Sequence, residues 1–549
     1  MKQVKQLLAE QLQEKLGTDV ETKDIEVPEP EHGDFAYPAM KAASQLEKNP
    51  RKLAEETAEK LQEDELIQEV EVAGPGYLNF YLNKKEYGKI VSEGLETDKM
   101  SVEQREGEVL LEFSSPNIAK PMHIGHVRNN CLGDSLQRIM RFSGYNVTSE
   151  NYLGDWGAQF GKSIFAFKKY GSEEKLDENP MEHIYNLYVK FHNEAENDPQ
   201  VVEKAAEWSK RIEEGDEEAE RLWKKLRKIT IEYDMKDYER MDIEFDRITG
   251  ESKVVEEGEE IVERGLEKGI FKEDDDGSVY IDFEDENMPN TIVKKSDGTT
   301  LYLTRDIANI EKRAKEGFEK NLYVVASEQD LHFKQLFKIA EEFGIDEIDN
   351  EHISYGMLNL GEGGMSSREG NIITLSDLLD KATEKAEEKI QDRENIENAE
   401  KIGLGAVKYA NLKVSRRKDI EFNWEDVLNF EGDSGPYLQY SNTRAKSILK
   451  KTDTKGEFAG EFNETEYQLL RKLGEFPEKV SSAAENRDPV KVANYLSTLC
   501  EEFNTFYHDC PVIDAEEDER KKRVKLVKLF IDVSDKGLEL LGIEPLEEM

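Results

Sequence analysis

Glu112-Phe-Ser-Ser-Pro-Asn-Ile-Ala-Lys-Pro-Met-His-Ile-Gly-His126 is the stretch whose reading decides the fold. A short apolar run, Val109-Leu110-Leu111, leads into it, and Leu132, Leu136, Ile139 and Met140 follow at steps of three and four. The stretch therefore reads as strand, loop and helix, with Pro116 and Pro121 fixing the loop. His123 and His126 flank Gly125 at the helix start, where free N–H groups and the positive dipole end hold phosphate. Imidazoles there can donate to phosphate oxygens as charge develops in a transition state. Gly125 permits a nucleotide to approach the backbone closely.

The 549 residues suggest roughly three or four domains. Lys and Arg number 75 against 120 Asp and Glu, a formal charge of −45, yet 37% hydrophobic residues leave enough for real cores. The acid is spread along the chain, which excludes a disordered acidic tail. Such an excess suits a salt-rich cytosol, as in a salt-adapted archaeon or similar organism, where repulsion is screened. Cys131, Cys500 and Cys510 give no disulfide framework and no Cys-x-x-Cys pair. The first ten residues lack a signal peptide's apolar core, and no run approaches 18 apolar residues. A cytoplasmic protein without a membrane span or a protein-held metal is expected.

Outward from the central stretch, residues 1–100 read as an α+β unit. Leu7, Leu8, Leu12 and Leu16 form a helical stripe that Gly17 ends, and the run to Leu82 alternates like a strand. Residues 101–375 read as two halves of a parallel sheet. In the first half, a strand from Gly144 runs into Tyr152-Leu-Gly-Asp-Trp-Gly-Ala-Gln-Phe-Gly161, placing Asp155 and Gln159 at a strand C-terminus. Residues 166–290 read as a mostly helical insertion without chemistry. In the second half, Thr300–Ala308 reads as a strand turning into a helix at Asp306, and Asn321–Ser327 and Ile353–Met357 as strands. Gly361 to Asn371 then offers four Gly, two Ser and one Arg, a donor-rich loop able to fold over a triphosphate. Residues 376–434 read as a helical stem and 435–549 as a helical bundle. In the bundle, the basic run holding Arg520, Lys521, Arg523 and Lys525 is a candidate RNA-phosphate face.

The run from Glu112 to His126 resembles the first signature of class I aminoacyl-tRNA synthetases, in the form carried by arginyl-tRNA synthetases. Gly154-Asp-Trp-Gly-Ala-Gln-Phe-Gly161, His32-Gly-Asp34 and the segment from Asp433 to Ala445 are similar to the same family. Gly364-Met-Ser-Ser-Arg368 matches the second signature with both of its usual lysines missing. The resemblance implies that Lys120 supplies that charge, and that the fold is α/β: a Rossmann-like parallel-sheet catalytic domain, an N-terminal α+β domain touching tRNA and a C-terminal all-α anticodon-binding bundle. It implies a ligase that activates L-arginine with ATP and Mg²⁺ and transfers it to tRNA(Arg), as a monomer whose activation waits for tRNA.

Carried over residue by residue, the catalytic set is Lys120, His123, His126, Ser366, Ser367 and Arg368. ATP would meet Pro116, His123, Gly125, His126, Met357, Met365, Ser366 and Ser367. Arginine would meet Glu112, Ser114, Asn117, Asp155, Tyr302, Asp306 and Gln329. A guanidinium is best held by carboxylates in a fork, and Glu112 and Asp306 sit in opposite halves of the sheet. Polar partners of that kind discriminate by roughly 10⁴ without editing. A lysine-specific synthetase, a small adenylyltransferase and a regulatory RNA-binding derivative remain as alternatives.

Overall fold

The computed structural model describes residues 1–61, 65–96, 104–283, 288–359, 373–390 and 396–549. Helix α1 (Lys2–Leu16) buries Val4, Leu8, Leu12 and Leu16 and ends at left-handed Gly17, whose N–H reaches Gln13 O at 2.9 Å. After it come β1 (Phe35–Pro38), α2 (Met40–Gln45), α3 (Pro50–Leu61), β2 (Ile67–Ala73), β3 (Tyr77–Leu82) and α4 (Lys84–Glu96). Strand β3 lies antiparallel between β1 and β2. Asp34 locks the turn into this sheet by accepting the Leu82 N–H at 2.8 Å.

The central sheet starts with β4 (Glu108–Glu112), α5 (Ile124–Phe142) and β5 (Asn146–Leu153). A helical stretch follows: α6 (Ala158–Tyr170), α7 (Glu173–Glu178), α8 (Pro180–Ala195), α9 (Pro199–Glu213) and α10 (Glu217–Arg240). The chain then returns as β6 (Arg247–Gly250), which pairs in parallel with β5. Residues 166–290 thus differ from the mostly helical insertion expected, because they supply a strand of the main sheet. They also hold α11 (Val255–Glu267) and most of a small antiparallel sheet of β7 (Lys272–Glu273), β8 (Val279–Ile281) and β9 (Thr291–Lys294).

Helix α12 (Tyr302–Lys315) begins earlier than the expected start at Asp306. Leu303, Ile307 and Ile310 recur at helical spacing and are buried, whereas Thr300 makes only an isolated bridge to Lys294. Then β10 (Lys320–Ala326), α13 (Asp330–Phe343) and β11 (Asp349–Tyr355) complete the sheet. Its order is β11-β10-β4-β5-β6, every pair parallel. Both faces are covered: Leu322 and Val324 join one core with α5, while Tyr323 packs with α12 and α13 in another. A crevice forms at the strand C-termini between β4 and β10, where the strand order reverses.

Beyond β12 (Leu358–Asn359) come α14 (Leu375–Ile390), α15 (Ala399–Leu412), β13 (Ile420–Glu421) and α16 (Trp424–Val427). Last are α17 (Gly435–Leu449), α18 (Glu464–Gly474), α19 (Phe476–Asn486), α20 (Val490–Asp509) and α21 (Glu517–Leu540). Phe503 of α20 and Phe530 of α21 stack with centroids 3.8 Å apart. Helix α21 also meets α5 beside the central sheet, since Ser135 of α5 donates to Leu540 O at 2.9 Å. No helix among the described residues is long and apolar enough to cross a membrane.

Candidate active site

The loop between β4 and α5 is bent at three non-glycine residues in left-handed backbone: Ser114 (φ 70°), Ser115 (φ 47°) and Ala119 (φ 67°). Each costs on the order of 1–3 kcal/mol and persists only where the surroundings over-determine it. Asn129 Oδ1 accepts the Ser114 N–H at 2.5 Å, and Asn151 Oδ1 accepts the Ser115 N–H at 3.2 Å. Asn117 is exposed at the loop's crest and bridges to Gly154. A Cβ on Gly154 would lie 2.4 Å from Asn117 Oδ1, so any larger residue there would displace the Asn117 amide.

His123 is the N-cap of α5, and both imidazoles are tied to the first turn. His123 Nδ1 accepts the Gly125 N–H and His126 Nδ1 accepts the His123 N–H, each at 3.1 Å. The acceptor role at Nδ1 leaves Nε2 as the donor on both rings. Burial lowers both pKa values, that of His126 to about 3, and Lys120 lowers each further. Two neutral donors therefore stand at a positive helix end. Lys120 rests its ammonium over the Tyr188 ring, 4.6 Å from the centroid. Pro116 is buried and Gly125 half-buried beside them.

Met357 precedes β12, its N–H donating to Asp419 Oδ1 at 2.7 Å. Met365, Ser366, Ser367 and Arg368 lie outside the described residues. The chain on their far side is placed, however: Ile124 N–H donates to Ile373 O at 3.2 Å and Leu375 N–H to Met122 O at 2.9 Å. Residues 373–375 therefore run beside the histidine pair.

Acids come from α12 and from the C-terminal ends of β4, β5 and β6. Asp306 on α12 accepts a hydrogen bond from His332 Nε2 at 2.9 Å, and the exposed Tyr302 ring lies 4.9 Å from His332. Gln329 is exposed just beyond β10. Glu112 faces Glu150 across β4–β5, and buried Arg313 bonds both, Glu112 at 2.5 Å. Glu150 also takes Arg247 at 2.9 Å and the Thr249 hydroxyl at 2.6 Å; against the burial that raises it, Arg313 first and then these two hold its pKa low. Glu112 has only Arg313 and a long contact from Ser115 Oγ, and burial pushes it up to about 7.

Sequence reasoning missed Glu251, Tyr152 and His332. Glu251 follows β6, pairs with Arg305 at 2.9 Å and is raised to about 7 by burial. The Tyr152 hydroxyl is buried without a partner and feels the charges of Asp306, Glu251, Arg313 and Glu112. Only His332 carried a readable signal, as the polar end of Glu328-Gln-Asp-Leu-His after a buried-type strand.

Three of the expected side chains have partners inside the protein. Asp155 is fully buried and its carboxylate is consumed by Arg227 at 2.7 Å, Ser252 N–H at 2.8 Å and Ser252 Oγ at 2.9 Å. Buried Ser114 spends its hydroxyl on Tyr238, 2.7 Å away. Both side chains are thus engaged by partners within the protein. In α21, Arg523 turns inward to Glu466 at 2.7 Å and to Pro511 O at 2.8 Å, because Glu466 is itself buried and requires cations. Lys521 pairs with Glu517 at 2.7 Å, while Arg520 and Lys525 are half-buried. A second aromatic and cationic cluster lies elsewhere in the bundle. The Arg444 guanidinium lies 4.7 Å from the Tyr440 ring and 4.9 Å from that of exposed Tyr507, beside a cavity of about 480 Å³.

Comparison with known proteins agrees with this geometry. Residues 89–424 match the family described as tRNA synthetases class I (R), catalytic domain. Residues 2–82 match the arginyl tRNA synthetase N terminal domain and 438–549 the DALR anticodon binding domain. An arginine–tRNA ligase of Halothermothrix orenii is 40% identical over 96% of this chain and 95% of its own. One of Clostridium perfringens is 38% identical over 99% of this chain and all of its own. The solved arginyl-tRNA synthetase of Thermus thermophilus superposes with a TM-score of 0.79 at 26% identity, over 99% of this chain and 100% of that one. Full-length matches to arginine-specific enzymes, with the RNA-binding units included, disfavour the lysine, adenylyltransferase and regulatory alternatives. The chain belongs to the arginyl-tRNA synthetases, class I enzymes with arginine–tRNA ligase activity.

Proposed function

We propose that the β4–β10 crevice divides the reaction between its two sides, imidazoles on the phosphates and acids on the substrate cation. The observation that carries this is the pair of neutral imidazoles on the first turn of α5, each with Nδ1 already engaged. In the first step the arginine carboxylate attacks the α-phosphorus of ATP, the bond to the bridging oxygen breaks, and pyrophosphate leaves arginyl-adenylate. In the second, the 3′-terminal ribose hydroxyl of tRNA(Arg) attacks the arginyl carbonyl and AMP leaves.

No covalent nucleophile takes part; placement and electrostatics suffice. His123 and His126 donate from Nε2 to phosphate oxygens as charge grows there. Lys120 leaves the Tyr188 face to join them, with Ser366, Ser367 and Arg368. Pro116, Gly125, Met357 and Met365 flank the nucleotide. Asp306, beside Tyr302, holds the guanidinium, while Glu112, Asn117 and Gln329 fix the amino-acid end. These nitrogen donors fit phosphate oxygens rather than a cation, so Mg²⁺ arrives on ATP, where it neutralises phosphate charge.

In this reading residues 1–100 and the 435–549 bundle grip tRNA, with Tyr440, Arg444 and Tyr507 stacking on a base. Residues 101–375 form the catalytic unit and 376–434 the stem, and the protein works as a cytoplasmic monomer. The test is charging of total tRNA with labelled arginine and ATP in high KCl, with lysine and glutamate in parallel. Arginine alone should become acid-precipitable; charging with lysine or glutamate would overturn the pocket assignment.

A further inference from the structure

Helix α10 presents one polar stripe at Trp223, Arg227, Thr230, Asp234, Asp237 and Tyr238, at helical steps of three and four. Polar groups so placed, half-buried at Trp223 and Arg227 and buried from Thr230 on, are costly without partners, and most of them find one. Along its length it meets the segments that carry the proposed site. Near its N-terminal end, Trp223 Nε1 donates to Asp155 O at 2.8 Å and Arg227 Nε to Asp155 Oδ2 at 2.7 Å, fixing the loop after β5. Two turns on, Thr230 Oγ1 accepts the N–H of left-handed Ala119 at 3.1 Å, next to Lys120, while its own hydroxyl bonds Leu226 O.

Asp234 is buried beside the Met122 backbone, just before His123, and its carboxyl oxygens have no hydrogen-bond partner among the described residues. Asp237 Oδ1 accepts from Ser376 Oγ at 2.6 Å, just past the segment that runs beside the histidines. The Tyr238 hydroxyl joins Ser114 Oγ at 2.7 Å and takes Asn151 Nδ2 at 3.0 Å, and Asn151 holds left-handed Ser115.

Resting on the reading above, we propose that α10 is a positioning helix for the reaction. Its polar stripe registers the loop after β5, the strained 114–122 loop and the start of α14 against one another. Thr230 and Tyr238 touch no reactant; they act through Ala119 and Ser114 on the placement of Asn117, Lys120 and His123. A misplacement of about 1 Å in such groups costs up to about 100-fold in rate, whereas ground-state binding tolerates it better.

The experiment is arginine-dependent ATP–pyrophosphate exchange with tRNA present, well below the melting temperature, counted per active site titrated by the first-turnover burst. Thr230→Val keeps the shape and removes the hydroxyl; Thr230→Ser keeps the hydroxyl; Tyr238→Phe removes the hub. Thr230→Val and Tyr238→Phe should each lower kcat by about tenfold or more, with KM for arginine and ATP within about threefold, and Thr230→Ser should remain within about twofold of the parent. Lys228→Ala, on the exposed side, should change nothing. A kcat within twofold of the parent for Thr230→Val and Tyr238→Phe, whatever their melting temperatures, would reduce α10 to a structural support. A loss shared by Thr230→Ser would do the same. If the parent itself showed no arginine-dependent exchange, the fault would lie with the crevice assignment.

Discussion

Glu112 and Glu150 share Arg313 unequally, and the inequality has a kinetic signature. Arg247 and Thr249 complete the shell of Glu150, so it remains ionised, while Glu112 is raised to about 7 and Glu251 likewise. A substrate cation favours the ionised form of both. Arginine affinity should therefore strengthen as pH rises through about 7 and level off above it, with KM at pH 6 roughly 100-fold that at pH 8, about tenfold from each group. KM measured from pH 5.5 to 8.5 checks this; the Glu112→Gln/Glu251→Gln variant should flatten the profile. Glu112 and Asp306 could be named from sequence because a guanidinium demands acids and the signatures locate them. Glu251 could not, since it is one acid among many until β6 is seen to pair with β5.

At the scale of elements, the strand–loop–helix around Pro116 was legible because apolar spacing changes from a run to steps of three and four. The strain in the loop was not, because left-handed Ser114, Ser115 and Ala119 leave no mark on composition. Asn129 carries much of that strain: it holds the Ser114 N–H, donates to Val324 O at 2.8 Å and to Tyr355 Oη at 3.2 Å. Asn129→Ala leaves buried groups unpaired and should cost about 2 kcal/mol or more, read as a lower thermal midpoint. Helix α12 was misjudged at its start because Thr300-Leu-Tyr-Leu fits either period over so short a run. Spacing in the basic run of α21 predicts which charges adjoin, not that buried Glu466 waits opposite and takes Lys522 and Arg523 inward. The placement of RNA contact moves accordingly. Tyr507→Ala should raise the KM for tRNA by about tenfold, as loss of one stacking platform does, while Lys521→Ala stays within about twofold.

Across the whole molecule, a charge of −45 must coexist with a polyanionic partner. Screening relieves both the self-repulsion and the repulsion of tRNA, so the melting temperature should rise between dilute buffer and molar KCl. A fall or no change would remove the salt-adaptation reading. In the proposed reading, the sheet's reversal between β4 and β10 is what assembles the site: histidines from the loop after β4, acids from α12 and from the ends of β4 and β6. That division is tested most directly by arginine-dependent ATP–pyrophosphate exchange, with tRNA present, on the parent, Asp306→Asn and His126→Ala. Asp306→Asn should raise the arginine KM by about 50-fold or more with kcat within a few-fold, whereas His126→Ala should lower kcat by about 100-fold with the arginine KM little changed. Equal losses in the same parameter for both variants would contradict a crevice divided between cation binding and phosphate chemistry.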